Sequence, residues 1–87
     1  MIRINFKSTF IRQFKKLEEA LSLEVREKLE LFKDPKNHAM LKVHKLHGPL
    51  KGYHSFSVNY KTRIIFDYQS KTEVVFMTIG DHDVYDT

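Results

Sequence analysis

The chain contains no cysteine, which excludes a disulfide framework, a thiolate nucleophile and a cysteine-based zinc site. Nor does it contain an apolar run long enough to span a membrane, so no membrane partner is expected. The start MIRINFK alternates charged with apolar residues and leads into a basic segment, so no secretory leader is expected and a reducing cytoplasm is the expected location. The histidines lack the spacing of a metal motif such as HExxH, so neither a metal nor any other cofactor is expected. We find no repeat, no low-complexity segment and no linker.

The most informative absence concerns acid. From Pro35 to Phe66 there is no Asp or Glu, while Lys36, Lys42, Lys45, Lys51, Lys61 and Arg63 fall there with His38, His44, His47 and His54. A net charge of +4 therefore understates the local asymmetry. A stretch of one sign attracts polyanions, which points to nucleic acid or an acidic protein segment rather than to a small-molecule ligand.

What is present fits one compact domain spanning residues 1–87. With 41% hydrophobic and 30% charged residues, a chain of 87 residues buries a thin core, and a bound partner would add to its stability by mass action. Ile2, Ile4 and Phe6 alternate with Arg3, Asn5 and Lys7, the period of a half-buried strand. Phe10, Phe14, Leu17 and Leu21 then recur at helical spacing, with Ser8 or Thr9 as the expected cap. Val25, Leu29 and Phe32 continue that spacing until Asp34-Pro35 stops it. Ser22 is the expected cap of a second helix, which makes a helical hairpin; one uninterrupted helix from Thr9 to Lys33 is the competing reading.

After Pro35 the period becomes two. Leu41 to Leu46 reads as a short extended segment, Gly48-Pro49 and Gly52 as a loop, and Tyr53 to Tyr60 as a strand with Ser55 and Ser57 opposite Phe56 and Val58. Thr62 to Tyr68 and Thr72 to Ile79 are rich in β-branched and aromatic residues and are joined closely enough to pair antiparallel. The expected fold is α+β: a first strand, then a helical hairpin packed on one face of a small antiparallel sheet. Ser55, Ser57 and Arg63 are expected on the uncovered face.

Cutting RNA without a metal needs a base for the 2′-hydroxyl, an acid for the leaving oxygen and cations for the phosphorane. His44 and His82 supply the first two types, and Arg63 or Lys51 the third; Tyr85 would position a base or donate. Each has a structural alternative: Arg63 could pair with Asp67, and His82, between Asp81 and Asp83, could sit in a solvated turn. Alternation puts His54 on the face opposite Ser55 and Ser57. Tyr53, Phe56 and Tyr60 are candidates to stack on bases or to fill the core.

The runs Lys45-Leu46-His47-Gly48-Pro49-Leu50-Lys51-Gly52-Tyr53, Ser57-Val58-Asn59-Tyr60, Arg63-Ile64-Ile65-Phe66 and Ile79-Gly80-Asp81-His82-Asp83-Val84-Tyr85 resemble the RelE/ParE superfamily of type II toxins, nearest its RelE and YafQ branches. The resemblance covers nearly the whole chain. It implies a microbial RNase-like fold and metal-independent endoribonuclease activity on mRNA in the ribosomal A site, which inhibits translation. It also implies a cognate antitoxin, expected to be acidic, as partner. Carried onto this chain, it implies that Arg63 binds the scissile phosphate, that His82 and His44 exchange protons and that Tyr85 is the C-terminal aromatic. Lys45, Lys51, His54, Ser57 and Lys61 are the expected substrate contacts. The chain departs from the pattern at Ser55 and Ser57, where relatives carry lysines or a histidine. A gyrase inhibitor of ParE type, or a weakly active member that mainly binds antitoxin, are the alternatives the resemblance leaves.

Overall fold

The computed structural model describes residues 1–81. The elements run β1 (Arg3–Phe6), α1 (Ser8–Lys15), α2 (Glu19–Phe32), β2 (His44–Lys45), β3 (His54–Ser57), β4 (Arg63–Tyr68) and β5 (Glu73–Gly80), with short 3-10 turns at Pro35–Asn37 and Gly48–Leu50. The five strands form one sheet in the order β1-β5-β4-β3-β2. Pairing is antiparallel from β2 to β5, as the short connections require. β1 adds to the far edge in parallel with β5, because the two helices carry the chain back across the sheet before β2 begins.

Both helical stripes reach the sheet. Phe10, Val25 and Phe32 are buried, and Phe14, Leu17, Leu21 and Leu29 pack against them. The hairpin break comes earlier than Ser22. Residues 16–18 make it: the Lys16 and Leu17 amides bond the carbonyls of Gln13 and Phe14, and Glu18 turns extended before α2 starts. Ser22 lies inside the first turn of α2, its hydroxyl donating to the Glu19 carbonyl at 2.9 Å. Lys7 and Glu18 occupy the two N-cap positions and neither makes a side-chain cap bond, so Ser8 and Thr9 do not cap α1 either. No glycine, proline or capping side chain marks this break.

The core is aromatic. Phe32, wholly buried at the end of α2, stacks on Phe56 at 4.8 Å and meets Phe66 and Phe76 edge-on at 4.9 and 5.4 Å, so one helical residue touches three consecutive strands. The His38 ring stacks on Phe32 at 4.6 Å, and its Nε2–H donates to the Phe32 carbonyl at 2.7 Å, satisfying a group left open at the helix end. A bulge keeps β5 in phase with this core. Met77 is extra between the pairs Ile65–Thr78 and Phe66–Phe76, so Ile79 faces inward with Val74 and Phe76 although simple alternation would turn it out.

Beyond the end of β1, the edge of β5 would be open. Gln13 of α1 closes it, its Oε1 accepting from the Ile79 amide at 2.9 Å and from the Thr78 hydroxyl at 3.0 Å. Among the described residues, no helix is long and apolar enough to cross a membrane.

Because Phe32 joins the helical layer to β3, β4 and β5, Phe32→Ala is expected to cost about 3–5 kcal/mol. That is a large part of the stability of a domain this small. Urea denaturation followed by circular dichroism measures it; a loss under about 1 kcal/mol would show that the aromatic cluster does not organise the core.

Candidate functional site

Alternation and register place the candidate residues. Ile64, Phe66, Phe56 and Val74 point to the helices, so the row between them points the other way. That row contains Ser57 opposite Arg63, Ser55 opposite Ile65, and His44 opposite Ser55. The structure thus brings His44, Ser57 and Arg63 to the sheet face away from the helices. Strand spacing puts the Cα atoms of His44 and Arg63 roughly 12 Å apart, from two strand steps of about 4.8 Å and one same-face step of about 6.8 Å. An arginine and a histidine can close that distance around a phosphate.

Ser55 corrects the sequence expectation. It lies on the predicted face but is fully buried, as is nearly all of Ile65 beside it, so Ser55 offers no surface to a ligand. Arg63 is half-buried, and it does not pair with Asp67. Its Nη1 donates instead to the carbonyls of Asn59 at 2.5 Å and Thr62 at 3.2 Å, in the turn between β3 and β4. Both acceptors are neutral, so no carboxylate offsets the guanidinium there, and among the described residues Nη2 and Nε have no hydrogen-bond partner.

That turn is itself held firmly. The Asn59 side chain accepts from the Lys61 and Thr62 amides at 2.9 and 2.7 Å and donates to Glu24 of α2 at 2.7 Å. Asparagine suits the position because its side chain copies a backbone turn. The result is an arginine whose placement is fixed by four residues of backbone before any ligand arrives.

His44 is exposed and similarly oriented. Its Nδ1 lies 2.8 Å from the Lys42 carbonyl, which only accepts, so the proton of the neutral ring sits on Nδ1. The lone pair of the neutral ring therefore lies on Nε2, which has no hydrogen-bond partner among the described residues. Lys42 adopts a left-handed backbone, φ 60°, which is uncommon outside glycine, asparagine and aspartate and aims this carbonyl at the ring.

The remaining candidates divide. Lys45, Lys51 and Lys61 are exposed, on β2, at the end of the Gly48–Leu50 turn and in the β3–β4 turn respectively. His54 lies apart from His44 and Arg63, opposite Phe66 in register, with its ring 5.5 Å from Phe66 and 4.8 Å from Tyr68. Its Nδ1 is buried without a hydrogen-bond partner. Burial holds its pKa below 6.5, helped by the nearby charges of Lys45 and His44 and opposed by Asp67. Burial likewise raises the Tyr68 phenol above 10.0. His82 and Tyr85 lie outside the described residues; in sequence His82 follows Gly80, the register partner of Arg63, by two positions. Among the described residues, no group of three or more His, Asp or Glu side chains could hold a metal ion.

Sequence reasoning reads Asn59 as a turn residue and Lys42 as one of the basic residues, and misses that they orient Arg63 and His44. Asn59 sits in the polar turn before Arg63, where an asparagine already signals turn chemistry. A left-handed lysine leaves no trace in composition or period.

No protein-family model and no curated protein matches the chain by sequence. Solved structures do match it. The toxin-antitoxin complex RelBE2 from Mycobacterium tuberculosis is similar over 93% of this chain and 98% of that one, with a TM-score of 0.74 at 21% identity. YafQ from E. coli is similar over 97% of each chain, TM-score 0.67 at 18% identity. The YoeB-YefM complex from Staphylococcus aureus matches over 94% of this chain and 98% of that one, TM-score 0.72 at 17% identity. The chain therefore has the fold of the RelE/ParE-type toxins, over essentially its whole described length.

The unpartnered ring of His54 makes a prediction about acid stability. A folded-state pKa depressed below 6.5 means that the native state resists protonation, so its stabilising contribution is complete above about pH 6.5 and is lost as pH falls below it. His54→Phe, which keeps the stacking on Phe66, is expected to flatten that decline. Urea midpoints between pH 7.5 and pH 5 for the two proteins, at roughly half-unit steps, test it; parallel curves would mean that the decline arises elsewhere.

Proposed function

We propose that this chain is the toxin of a type II toxin-antitoxin pair, an endoribonuclease that cuts mRNA without a metal, in the ribosomal A site. The observation that carries this reading is the pairing of a preset arginine with a tautomerically fixed histidine on the helix-free face. Nε2 of His44 takes the proton of the 2′-hydroxyl as the 2′-oxygen attacks phosphorus. Nη2 and Nε of Arg63 stabilise the charged phosphorane. As the bond to the 5′-oxygen breaks, His82 gives that oxygen a proton, leaving a 2′,3′-cyclic phosphate and a free 5′-hydroxyl. Tyr85 assists as positioner or donor, and Lys45, Lys51 and Lys61 supply the field that draws RNA in; Ser57 sits opposite Arg63, within reach of the same phosphate.

The proposed partner is an acidic antitoxin. Two of the similar structures are complexes with an antitoxin. This chain leaves an apolar groove of about 620 Å³ between α1, α2 and the end of β1, in which Phe6 and Ile11 are each 42% exposed and whose charged lining is Lys15, Arg26 and one acid, Glu30. An amphipathic segment with acidic flanks would cover those side chains and match that charge.

Mutation separates chemistry from binding. His82→Ala is expected to slow single-turnover cleavage of a ribosome-bound message by roughly two to four orders of magnitude while barely changing affinity. Arg63→Ala should slow it by about 10²–10³ and weaken binding as well. A folded His82→Ala protein that cuts at the wild-type rate removes His82 from the mechanism. If instead both variants keep their toxicity and supercoiling by gyrase is blocked, the chain acts by binding a protein.

The basic stretch adds a test by salt. Affinity for RNA should fall steeply between low and moderate salt, and neutralising Lys51 or Lys45 should lower the slope of log affinity against log salt by about 0.7. Salt-independent binding would dismiss the electrostatic account.

A further inference from the structure

Tyr60 has no structural reason to be where it is. It is 91% exposed, at the tip of the turn between β3 and β4, whereas Phe56 on the strand before it is in the core. The bonds made by Asn59 and by the Val58 and Thr62 backbones hold the turn rigid, so the ring stands in water on a fixed support. A large apolar side chain there gains nothing by packing. It does provide a flat surface whose placement costs a ligand little ordering entropy, the property that makes tyrosine common at binding surfaces.

The ring lines a groove of about 520 Å³ between the end of β3, the β3–β4 turn and α2. Its charged and polar lining is Ser57 and Arg63 from the sheet, Lys42 from the segment before β2, and Glu27 and Lys28 from α2. Lys28 is 3.9 Å from the Glu27 carboxylate, but among the described residues neither Lys42 nor Arg63 has an acidic partner. Cations free of acidic partners therefore line the same groove as an aromatic ring and the apolar side chains of Leu31, Leu41 and Val58. The groove is within the range of pockets that hold molecules of nucleotide size.

From this juxtaposition we infer that the groove is a subsite for one unpaired nucleotide flanking the phosphate held by Arg63, with its base stacked on Tyr60 and its backbone beside Lys42. The inference rests on the ribonuclease reading for the identity of the strand, and it deepens that reading by assigning a base contact that takes no part in the proton transfers. Stacking of this kind tolerates all four bases, so Tyr60 contributes affinity and register along the strand more than sequence choice.

The test avoids cleavage altogether. A short 2′-O-methyl oligoribonucleotide carrying 2-aminopurine has no 2′-hydroxyl to attack, and the fluorescence of its probe base is quenched on stacking. Titrated with the toxin chain freed of its partner, it should be quenched by the wild type and by Tyr60→Phe with affinities within about twofold of each other. Tyr60→Ala should bind about ten- to a hundredfold more weakly, the usual loss for removing one stacking aromatic, with an unchanged salt slope. Because Tyr60 is almost wholly exposed, both variants are expected to fold. Wild-type quenching that Tyr60→Ala abolishes supports the subsite even if no message is ever cut, in which case the ribonuclease reading alone fails. Affinity and quenching unaltered in Tyr60→Ala overturn the subsite even if cleavage is normal, and so does a wild type that binds no oligonucleotide.

Discussion

Everything else in this molecule depends on the stacking of Phe32 on the sheet. A chain this short has surface enough for one packed layer contact, and it places that contact where a single helical ring meets Phe56, Phe66 and Phe76 on three adjacent strands. With the apolar demand of the sheet met on one side, the opposite side is free to carry His44, Ser57 and Arg63. The bulge at Met77 belongs to the same constraint, since without it Ile79 would turn out of the core and the end of β5, where Gly80 meets Arg63, would lose its register.

The site inherits its order from that frame. Arg63 begins β4, and its guanidinium is positioned by carbonyls of the preceding turn; that turn is tied by Asn59 to Glu24 of α2, the helix that ends in Phe32. His44 is oriented by the carbonyl of Lys42, and the segment holding Lys42 is bonded to β3 through the Leu41 carbonyl and the Ser57 amide. Preorganisation of this kind keeps charges and lone pairs aimed before any ligand binds, so little reorganisation would be left for the proposed reaction. His54 takes the opposite part. On the core side of β3, its ring packs like a phenylalanine and resists protonation.

Much of this could be read from residue order. Period-two alternation located β1, β3, β4 and β5, and helical spacing located both apolar stripes, because burial on one face is what those periods encode. The acid-free stretch from Pro35 to Phe66 is the segment that carries both His44 and Arg63. Features set by tertiary geometry were not legible. The break at residues 16–18 carries no capping or breaking residue, Ser22 suggested a cap that the backbone does not use, and the parallel pairing of β1 follows from the path of the helices rather than from any residue in β1. Ser55 looked exposed because alternation gives the side of a sheet and says nothing of what covers it. For the site, Arg63 and His44 were found as residue types, whereas the carbonyls that orient them belong to turns whose conformations only the folded chain defines.

The proposed cutting of RNA by the helix-free face is tested most directly by mapping RNA ends across the transcriptome shortly after the chain is induced alone. New ends are expected within translated regions, with 2′,3′-cyclic phosphates upstream and 5′-hydroxyls downstream of each cut, and they should disappear when the proposed antitoxin is coexpressed. Intact messages in cells that have nonetheless stopped growing would contradict it.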